Sequence, residues 1–292
     1  MRVYNSLGRE TGVSCMGPNW AGQILGHIEE THRYEQLVAC VRSQWLAADD
    51  CAAAGAGVGS TTPTYMICPS AQSVSRPHQA STTQLDGLAK GNYAACLGAE
   101  HYRTAIEGDR FAQHDQDDRF QIGVMSMPLI PDFQRLTDLT RRGKIPGDWR
   151  LGHGIGTPTS RIKDGTSRTI VVSEVLSADS VTMDDSPYSV DVRGAWTSAT
   201  MGASTYTHKN GPNSRMPDRV NGCDATIPRE SRMFCESAAT SGQAAAETWA
   251  SARSAHRGGV VAAMADGAVR FYEDGIHLPI WHALATRSGG DH

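Results

Sequence analysis

Hydrophobic positions in the first part of the chain recur at helical spacing. Trp20 and Ile24 lie on one apolar stripe, and a second stripe begins at Leu37 after a break. Asn19 is placed to cap the first helix, because a short amide side chain accepts hydrogen bonds from the amides of a first turn. The pattern predicts mainly helical structure over residues 1–50.

From residue 63 onward the apolar runs become short and are separated by Gly, Pro and Ser, which is typical of β-rich structure. The predicted strands are 65–68, 93–97, 169–174, 194–198, 260–265 and 268–273. Short helices are predicted over 133–142 and 278–286, the latter packing Ile280, Trp281 and Leu284. We therefore expect one α+β domain over residues 1–292, in which N-terminal helices pack on an antiparallel sheet with long irregular loops, notably 99–118 and 180–192.

The last two predicted strands are joined by an Asp-Gly pair at 266–267, a strong signal for a two-residue hairpin turn. In that register Met264 faces Val269 and Ala262 faces Phe271. These four apolar side chains should form one buried face of the hairpin. We expect this face to pack under the N-terminal helices.

Composition removes several classes of function. The chain has 292 residues and a net charge of −4, and its basic residues form no cluster that could follow a phosphate backbone, so nucleic acid is not an expected partner. No window approaches the roughly 18 apolar residues that span a bilayer. We expect contact with a membrane only through an anchoring helix that this sequence lacks.

Seven cysteines are present, and none forms a Cys-x-x-Cys motif. Cys223 with Cys235, and Cys40 with Cys51, each bracket a short loop whose closure by a disulfide contributes about 2–3 kcal/mol. Buried free thiols are the alternative for each pair. Disulfides are permitted in an extracytoplasmic compartment.

The C-terminal hairpin carries a family resemblance. His256 is followed by nine residues and then by Asp266-Gly267 and a β-rich run, which is similar to the signature of the bacterial prepilin-type processing-associated H-x9-DG family. Further segments that match this family in order are Gly17-Pro18-Asn19-Trp20, Cys68-Pro69-Ser70, Gly91-Asn92-Tyr93, Asp164-Gly165-Thr166-Ser167 with Glu174, Arg193-Gly194-Ala195-Trp196, and Trp281 through Gly290.

Members of that family resemble type II secretion pseudopilins, in which a hydrophobic helix usually precedes a large extracytoplasmic head. The resemblance implies a pilin- or pseudopilin-like head domain, located in the periplasm or at the cell surface. It also implies other pilin-like subunits, or further copies of this chain, as partners.

The motif residues have structural explanations. His256 and Asp266 at opposite ends of one strand would lie roughly 30 Å apart, which excludes a catalytic dyad. Asp266 is interpreted as a turn residue and His256 as a structural hydrogen-bonding group. Asp164 and Gly165 form a predicted turn in which the carboxylate bonds nearby amides. Glu174 ends an apolar strand and should pair with a cation such as an arginine.

Metal and catalytic motifs are weak. Calcium is an alternative at two acidic clusters, although solvated loops are favoured because neither has EF-hand spacing. These clusters are Asp115, Asp117 and Asp118, and Asp184 and Asp185 with Asp191. The sequence has no zinc-hydrolase pair of histidines, no nucleophile elbow and no nucleotide-binding glycine motif. We therefore expect no cofactor and no enzymatic activity.

Two functions from different classes remain as hypotheses. The first is a non-enzymatic structural subunit of a surface filament or a secretion-type assembly. The second is a secreted binding module that recognises polysaccharide or an exported protein through its long loops. Trp149 and Trp196 are its candidate stacking residues, although Trp196 is more consistent with a core position. An enzyme with an unrecognised site is a third, weaker hypothesis.

Overall fold

The fold is described by a computed structural model for residues 2–4, 10–14, 19–43, 58–71, 76–79, 86–100, 102–104, 106–107, 110–111, 123–125, 157–179, 188–198, 200–238 and 246–290. The helices are α1 (Trp20–Ile24), α2 (Thr31–Ser43) and α3 (Leu278–Ala283), with 3-10 helices at Leu25–His27, Val58–Ser60, Thr64–Met66 and Thr159–Arg161. The strands are β1 (Arg2–Tyr4), β2 (Glu10–Ser14), β3 (His78–Gln79), β4 (Asp86–Leu88), β5 (Tyr93–Cys96), β6 (Tyr102–Thr104), β7 (Ile106–Glu107), β8 (Arg110–Phe111), β9 (Ile170–Glu174), β10 (Thr205–Tyr206), β11 (Asp218–Val220), β12 (Cys235–Ser237), β13 (Ala246–Thr248), β14 (Gly259–Met264) and β15 (Val269–Glu273).

The largest sheet has five strands in the order β10-β5-β9-β14-β15. Strands β5, β9, β14 and β15 pair antiparallel, whereas β10 pairs parallel with β5. The remaining described strands form two-stranded pairs. The α+β class is confirmed, but the sheet is mixed and not purely antiparallel. Strand β10 is parallel to β5 because a long connection after β9 brings the chain to the side of β5 that faces away from β9.

Four predicted strands are confirmed as β5, β9, β14 and β15. The prediction at 65–68 is wrong because Met66 N donates to Pro63 O at 2.9 Å and closes a 3-10 turn. The prediction at 194–198 is also wrong. Gly194 has a φ of +84°, which bends the chain into turns and leaves only an isolated bridge between Lys90 and Ala195.

The N-terminal region is helical from residue 20. The predicted cap is confirmed, because Asn19 accepts a hydrogen bond from Gly22 N at 3.0 Å. Ahead of it, β1 and β2 pair antiparallel, so the prediction of mainly helical structure over 1–50 is wrong at this end. The predicted helix over 133–142 lies outside the described residues.

The C-terminal hairpin has a three-residue loop and not the predicted two-residue loop. Met264 N donates to Ala268 O at 2.8 Å, Gly267 N donates to Met264 O at 3.0 Å, and Gly267 has a φ of +87°. The extra loop residue moves the register by one, so that Ala263 pairs with Val269 and Val261 with Phe271. A one-residue shift exchanges the two faces of a strand.

The predicted buried face is therefore wrong on β15. Val269 is 66% exposed and Phe271 is 51% exposed, whereas Ala262 and Met264 on β14 are buried as expected. The ring of Phe271 lies across Gly259, where a β-carbon would come within 2.6 Å of it. This close approach explains why glycine starts β14.

The core has two main parts. One cluster contains the buried face of β14 together with Tyr206 and Trp281, and Trp281 comes from α3. A second cluster combines α1 and α2 with Trp196 and the half-buried Tyr93. The hairpin thus packs with the C-terminal helix, and not under the N-terminal helices as predicted. The prediction for α3 is right for Trp281 and wrong for Ile280, which is 55% exposed.

The hairpin loop provides a test of backbone strain. Gly267→Ala should lower the free energy of unfolding by about 1–2 kcal/mol, because a side chain disfavours the left-handed conformation. The matched control is Gly275→Ala, since Gly275 has no positive φ and a β-carbon there meets no atom within 4 Å. Urea denaturation measures both. Equal effects of the two substitutions would contradict the observed loop.

Candidate functional site

Three side chains from distant segments meet at one point. Cys68 Sγ donates to Glu174 Oε1 at 3.1 Å, and His256 Nε2 lies 3.1 Å from the same oxygen and 3.6 Å from Cys68 Sγ. Cys68 and Glu174 are buried, whereas the side chain of His256 is 34% exposed. Each belongs to a segment that carries the H-x9-DG resemblance, but sequence reasoning did not bring the three together.

Glu174 ends β9 and is oriented by the neighbouring strand. Its Oε2 accepts a hydrogen bond from Val261 N of β14 at 2.7 Å, which leaves Oε1 directed at the cysteine and the histidine. The sequence predicted a cation such as an arginine as the partner of this carboxylate. The side-chain partners are His256 and Cys68, because the end of β9 lies beside the loop that leads into β14.

Cys68 follows the 3-10 helix Thr64–Met66. Its backbone N–H donates to Asn92 Oδ1 at 3.0 Å, and Asn92 N donates to Met66 O at 2.7 Å, so the loop is fastened to the start of β5. Burial and the hydrogen bond to Glu174 raise the pKa of the Cys68 thiol. The thiol is therefore a proton donor at neutral pH and not a thiolate nucleophile. The next residue, Pro69, is exposed.

His256 is held by a serine. Its backbone N–H donates to Ser254 Oγ at 3.0 Å, and that hydroxyl donates to Gly259 O at 2.6 Å. Ser254 N in turn donates to Asn213 Oδ1 at 2.9 Å. These bonds fix the loop between Arg253 and Gly259 and so determine where the imidazole lies.

A buried chain of four charges anchors the same loop. Arg253 Nη1 lies 2.6 and 2.5 Å from the two carboxylate oxygens of Asp218, and Arg193 Nη1 donates to Asp218 Oδ2 at 3.1 Å. Arg193 also contacts both oxygens of Asp191, at 2.9 and 2.8 Å. All four residues are at most 2% exposed. Arg253 N donates to Glu174 O at 2.9 Å, which joins this ion network to the three-residue site.

The ion network also excludes Asp191 as a calcium ligand. Asp191 is not available as a loop ligand, because Arg193 occupies both of its carboxylate oxygens. The other candidates, Asp115, Asp117, Asp118, Asp184 and Asp185, lie outside the described residues.

The remaining motif residues have structural partners. Asp266 is exposed in the hairpin loop and accepts a hydrogen bond from Ala268 N at 2.9 Å, while His256 contacts Glu174. Asp164 accepts hydrogen bonds from Gly289 N at 2.6 Å and Gly290 N at 3.0 Å. These bonds fasten the distant C-terminal segment, a role that the sequence did not indicate. Bonds from the same carboxylate to nearby amides stay a prediction.

Gly165, the next residue, lies in a turn with a φ of +97°. Trp196 is completely buried and its indole N–H donates to Thr61 O at 3.0 Å, so it is not available to stack on a ligand. Trp149, the other candidate for stacking, lies outside the described residues.

One disulfide is present among the described cysteines. It joins Cys223 to Cys235, one of the two pairings expected from loop length, while Cys68 and Cys96 are free thiols. The pairing of Cys40 with Cys51 lies outside the residues whose side chains are described. A structural disulfide is typical of proteins from an oxidising, extracytoplasmic compartment.

The contacts also indicate what the three-residue site can do. In a Cys-His-acid catalytic triad the acid and the nucleophile use different ring nitrogens. Here both Glu174 and Cys68 contact His256 Nε2. Sulfur, oxygen and nitrogen atoms thus converge on a single point, which is the arrangement of a ligand set for one cation.

A family model described as "Protein of unknown function (DUF1559)" matches residues 4–278. No curated protein and no solved structure shows significant similarity to the chain. Of the helices in the described ranges, none combines the length and apolar character that are needed to cross a membrane.

The ion network predicts a large effect of one substitution. Asp218→Asn should lower the free energy of unfolding by about 3–5 kcal/mol at pH 7, because it leaves a buried arginine without its counter-charge. Asp266→Asn is the matched control and should change stability by no more than about 0.5 kcal/mol.

The pH dependence of the free energy of unfolding provides a second test of the ion network. Burial alone raises the pKa of Asp218, but Arg253 and Arg193 outweigh it and hold the pKa below its usual value. The stabilisation is therefore complete above the unfolded pKa of about 3.9 and is lost as the pH falls through the lower folded pKa. Urea denaturation between neutral and acid pH should show this loss in the native protein and not in Asp218→Asn. Parallel profiles would argue against the network.

Proposed function

The chain belongs to DUF1559, a family of proteins of unknown function, and we propose that it is a non-enzymatic structural subunit of a surface filament or secretion-type assembly. In this proposal the described domain is a pilin- or pseudopilin-like head in the periplasm or at the cell surface. The H-x9-DG motif and its companion segments support this assignment. The Cys223–Cys235 disulfide supports the location.

The observation that carries the proposal is an exposed apolar face on the outer strand of the main sheet. Val269 and Phe271 of β15 are more than half exposed, and their cross-strand partners Ala263 and Val261 are only partly buried. We call these four residues the β15 patch. Exposed apolar residues on an edge strand are normally avoided, because they promote pairing with other chains. Where such a patch is present, it usually marks an interaction surface.

The partner that fits this surface is a neighbouring pilin-like subunit, either a second copy of this chain or a related one. Among the described residues no strand pairs with the outer edge of β15. An edge strand offers backbone hydrogen bonds to an added strand, and the apolar side chains beside it supply the buried area. Docking of this kind joins one subunit to its neighbour.

The site chemistry is consistent with a non-enzymatic role. The raised pKa of Cys68 keeps its thiol protonated, and the arrangement around His256 Nε2 differs from that of a catalytic triad. The second hypothesis, a secreted binding module, loses Trp196 as a stacking residue because that side chain is buried.

The test is a charge placed in the β15 patch. Val269→Lys should abolish self-association of the full-length protein, because a lysine ammonium cannot be buried in an apolar interface without a partner. The substitution should leave the fold intact, since Val269 is 66% exposed. Light scattering coupled to size-exclusion chromatography and negative-stain electron microscopy measure assembly in solution, and crosslinking measures it on cells.

Met216→Lys is the matched control, because Met216 is 61% exposed and lies outside the β15 patch. It should assemble as the native protein does. The proposal would be refuted by native protein that stays monomeric in solution and crosslinks on cells neither to itself nor to another subunit. A monomer that binds components of a glycan array would instead support the secreted binding module.

A further inference from the structure

We propose that Cys68, Glu174 and His256 form a binding site for one zinc-class divalent transition-metal ion. This inference is independent of the proposed assembly role, since the three side chains differ from those of the β15 patch. It rests on the position and chemistry of three ligand atoms that a four-coordinate ion can reach together.

The separations between the ligand atoms are close to those around a tetrahedral ion. Zinc bonds of about 2.3 Å to sulfur and about 2.0–2.2 Å to nitrogen or oxygen place neighbouring ligand atoms about 3.3–3.7 Å apart. The observed separations are 3.1 Å between Cys68 Sγ and Glu174 Oε1, 3.1 Å between that oxygen and His256 Nε2, and 3.6 Å between the sulfur and the nitrogen. Small side-chain movements of a few tenths of an ångström therefore suffice to admit the ion.

The three ligands are already oriented by other groups, as in established metal sites. Val261 N holds the second oxygen of Glu174, and Asn92 Oδ1 accepts the hydrogen bond of the Cys68 amide. Ser254 Oγ accepts the hydrogen bond of the His256 amide. None of these bonds uses a ligand atom, so all of them can persist when the ion binds.

Charge balance favours a divalent ion. In the bound state Cys68 is a thiolate, Glu174 a carboxylate and His256 a neutral ring, and the protons that these groups give up on binding pass to solvent. The two negative charges neutralise the ion. Cys68 and Glu174 are at most 3% exposed, so a neutral site avoids the cost of an unpaired charge in the interior.

The mixed ligand set discriminates between metals. Calcium and magnesium prefer all-oxygen sites, whereas a thiolate, an imidazole and a carboxylate together suit zinc. Because the side chain of His256 is 34% exposed, solvent is the source we propose for the fourth ligand, a water molecule. The ion would thus have three protein ligands and one position open to solvent.

The first experiment measures zinc binding by the metal-free full-length protein with its Cys223–Cys235 disulfide intact, since Cys68 is already a free thiol. Titration calorimetry with zinc chloride alone, together with metal analysis after dialysis, should give one ion per chain. His256→Ala should bind zinc at least about 100-fold more weakly, while circular dichroism should show an intact fold because the side chain is 34% exposed. His277→Ala is the matched control, because that side chain is exposed and makes no capping hydrogen bond in α3.

The second experiment identifies the ligands with cobalt chloride. Bound Co²⁺ should show a sulfur-to-metal charge-transfer band that Cys68→Ser removes. Glu174→Gln should weaken binding as His256→Ala does, and circular dichroism of each variant checks the fold. The proposal is overturned if the native protein binds no zinc at micromolar concentration, if His256→Ala and His277→Ala bind it equally, or if bound cobalt lacks the sulfur band. The three residues would then be a hydrogen-bonded structural cluster only.

Discussion

The ion network of Asp191, Arg193, Asp218 and Arg253 is the interaction on which the described structure most depends. Its members come from three separate stretches of the chain, and all are almost completely buried. Asp218 is shared between two arginines, and Arg253 also donates to the carbonyls of Ser214 and Met216. Buried charges of this kind are tolerated only when every one is paired, so the three stretches must adopt one relative arrangement.

That arrangement fixes the candidate metal site. Arg253 N bonds to the carbonyl of Glu174, and His256 follows three residues later in the same loop. The main core cluster is built largely of small side chains, with Tyr206 and Trp281 as its largest members. Polar side chains complete the packing, as when buried Lys90 donates to the carbonyl of Ala178 and to Ser189 Oγ. Burial lowers the pKa of Lys90 to about 8.

The hairpin connects the candidate metal site with the β15 patch. Val261 N holds Glu174 on one side, and Val261 pairs across the hairpin with Phe271 on the other. The loop at Gly267 sets the register that exposes Phe271 and Val269. Strand β14 therefore takes part in both features: its pairing with β9 orients the carboxylate of Glu174, and its pairing with β15 sets which side chains are exposed on the β15 patch.

Local signals in the sequence determined the class and several elements. Periodicity and turn residues located β5, β9, β14 and β15, and Asn19 marked the start of α1, because these features depend on neighbouring residues alone. Tertiary structure decided the loop length of the hairpin, the turns at 194–198 and the partners of Asp164 and Glu174. It also decided the convergence of Cys68, Glu174 and His256, which lie 106 and 82 residues apart along the chain. Contacts over such separations depend on how the sheet and the ion network assemble, and no short stretch of sequence encodes that arrangement.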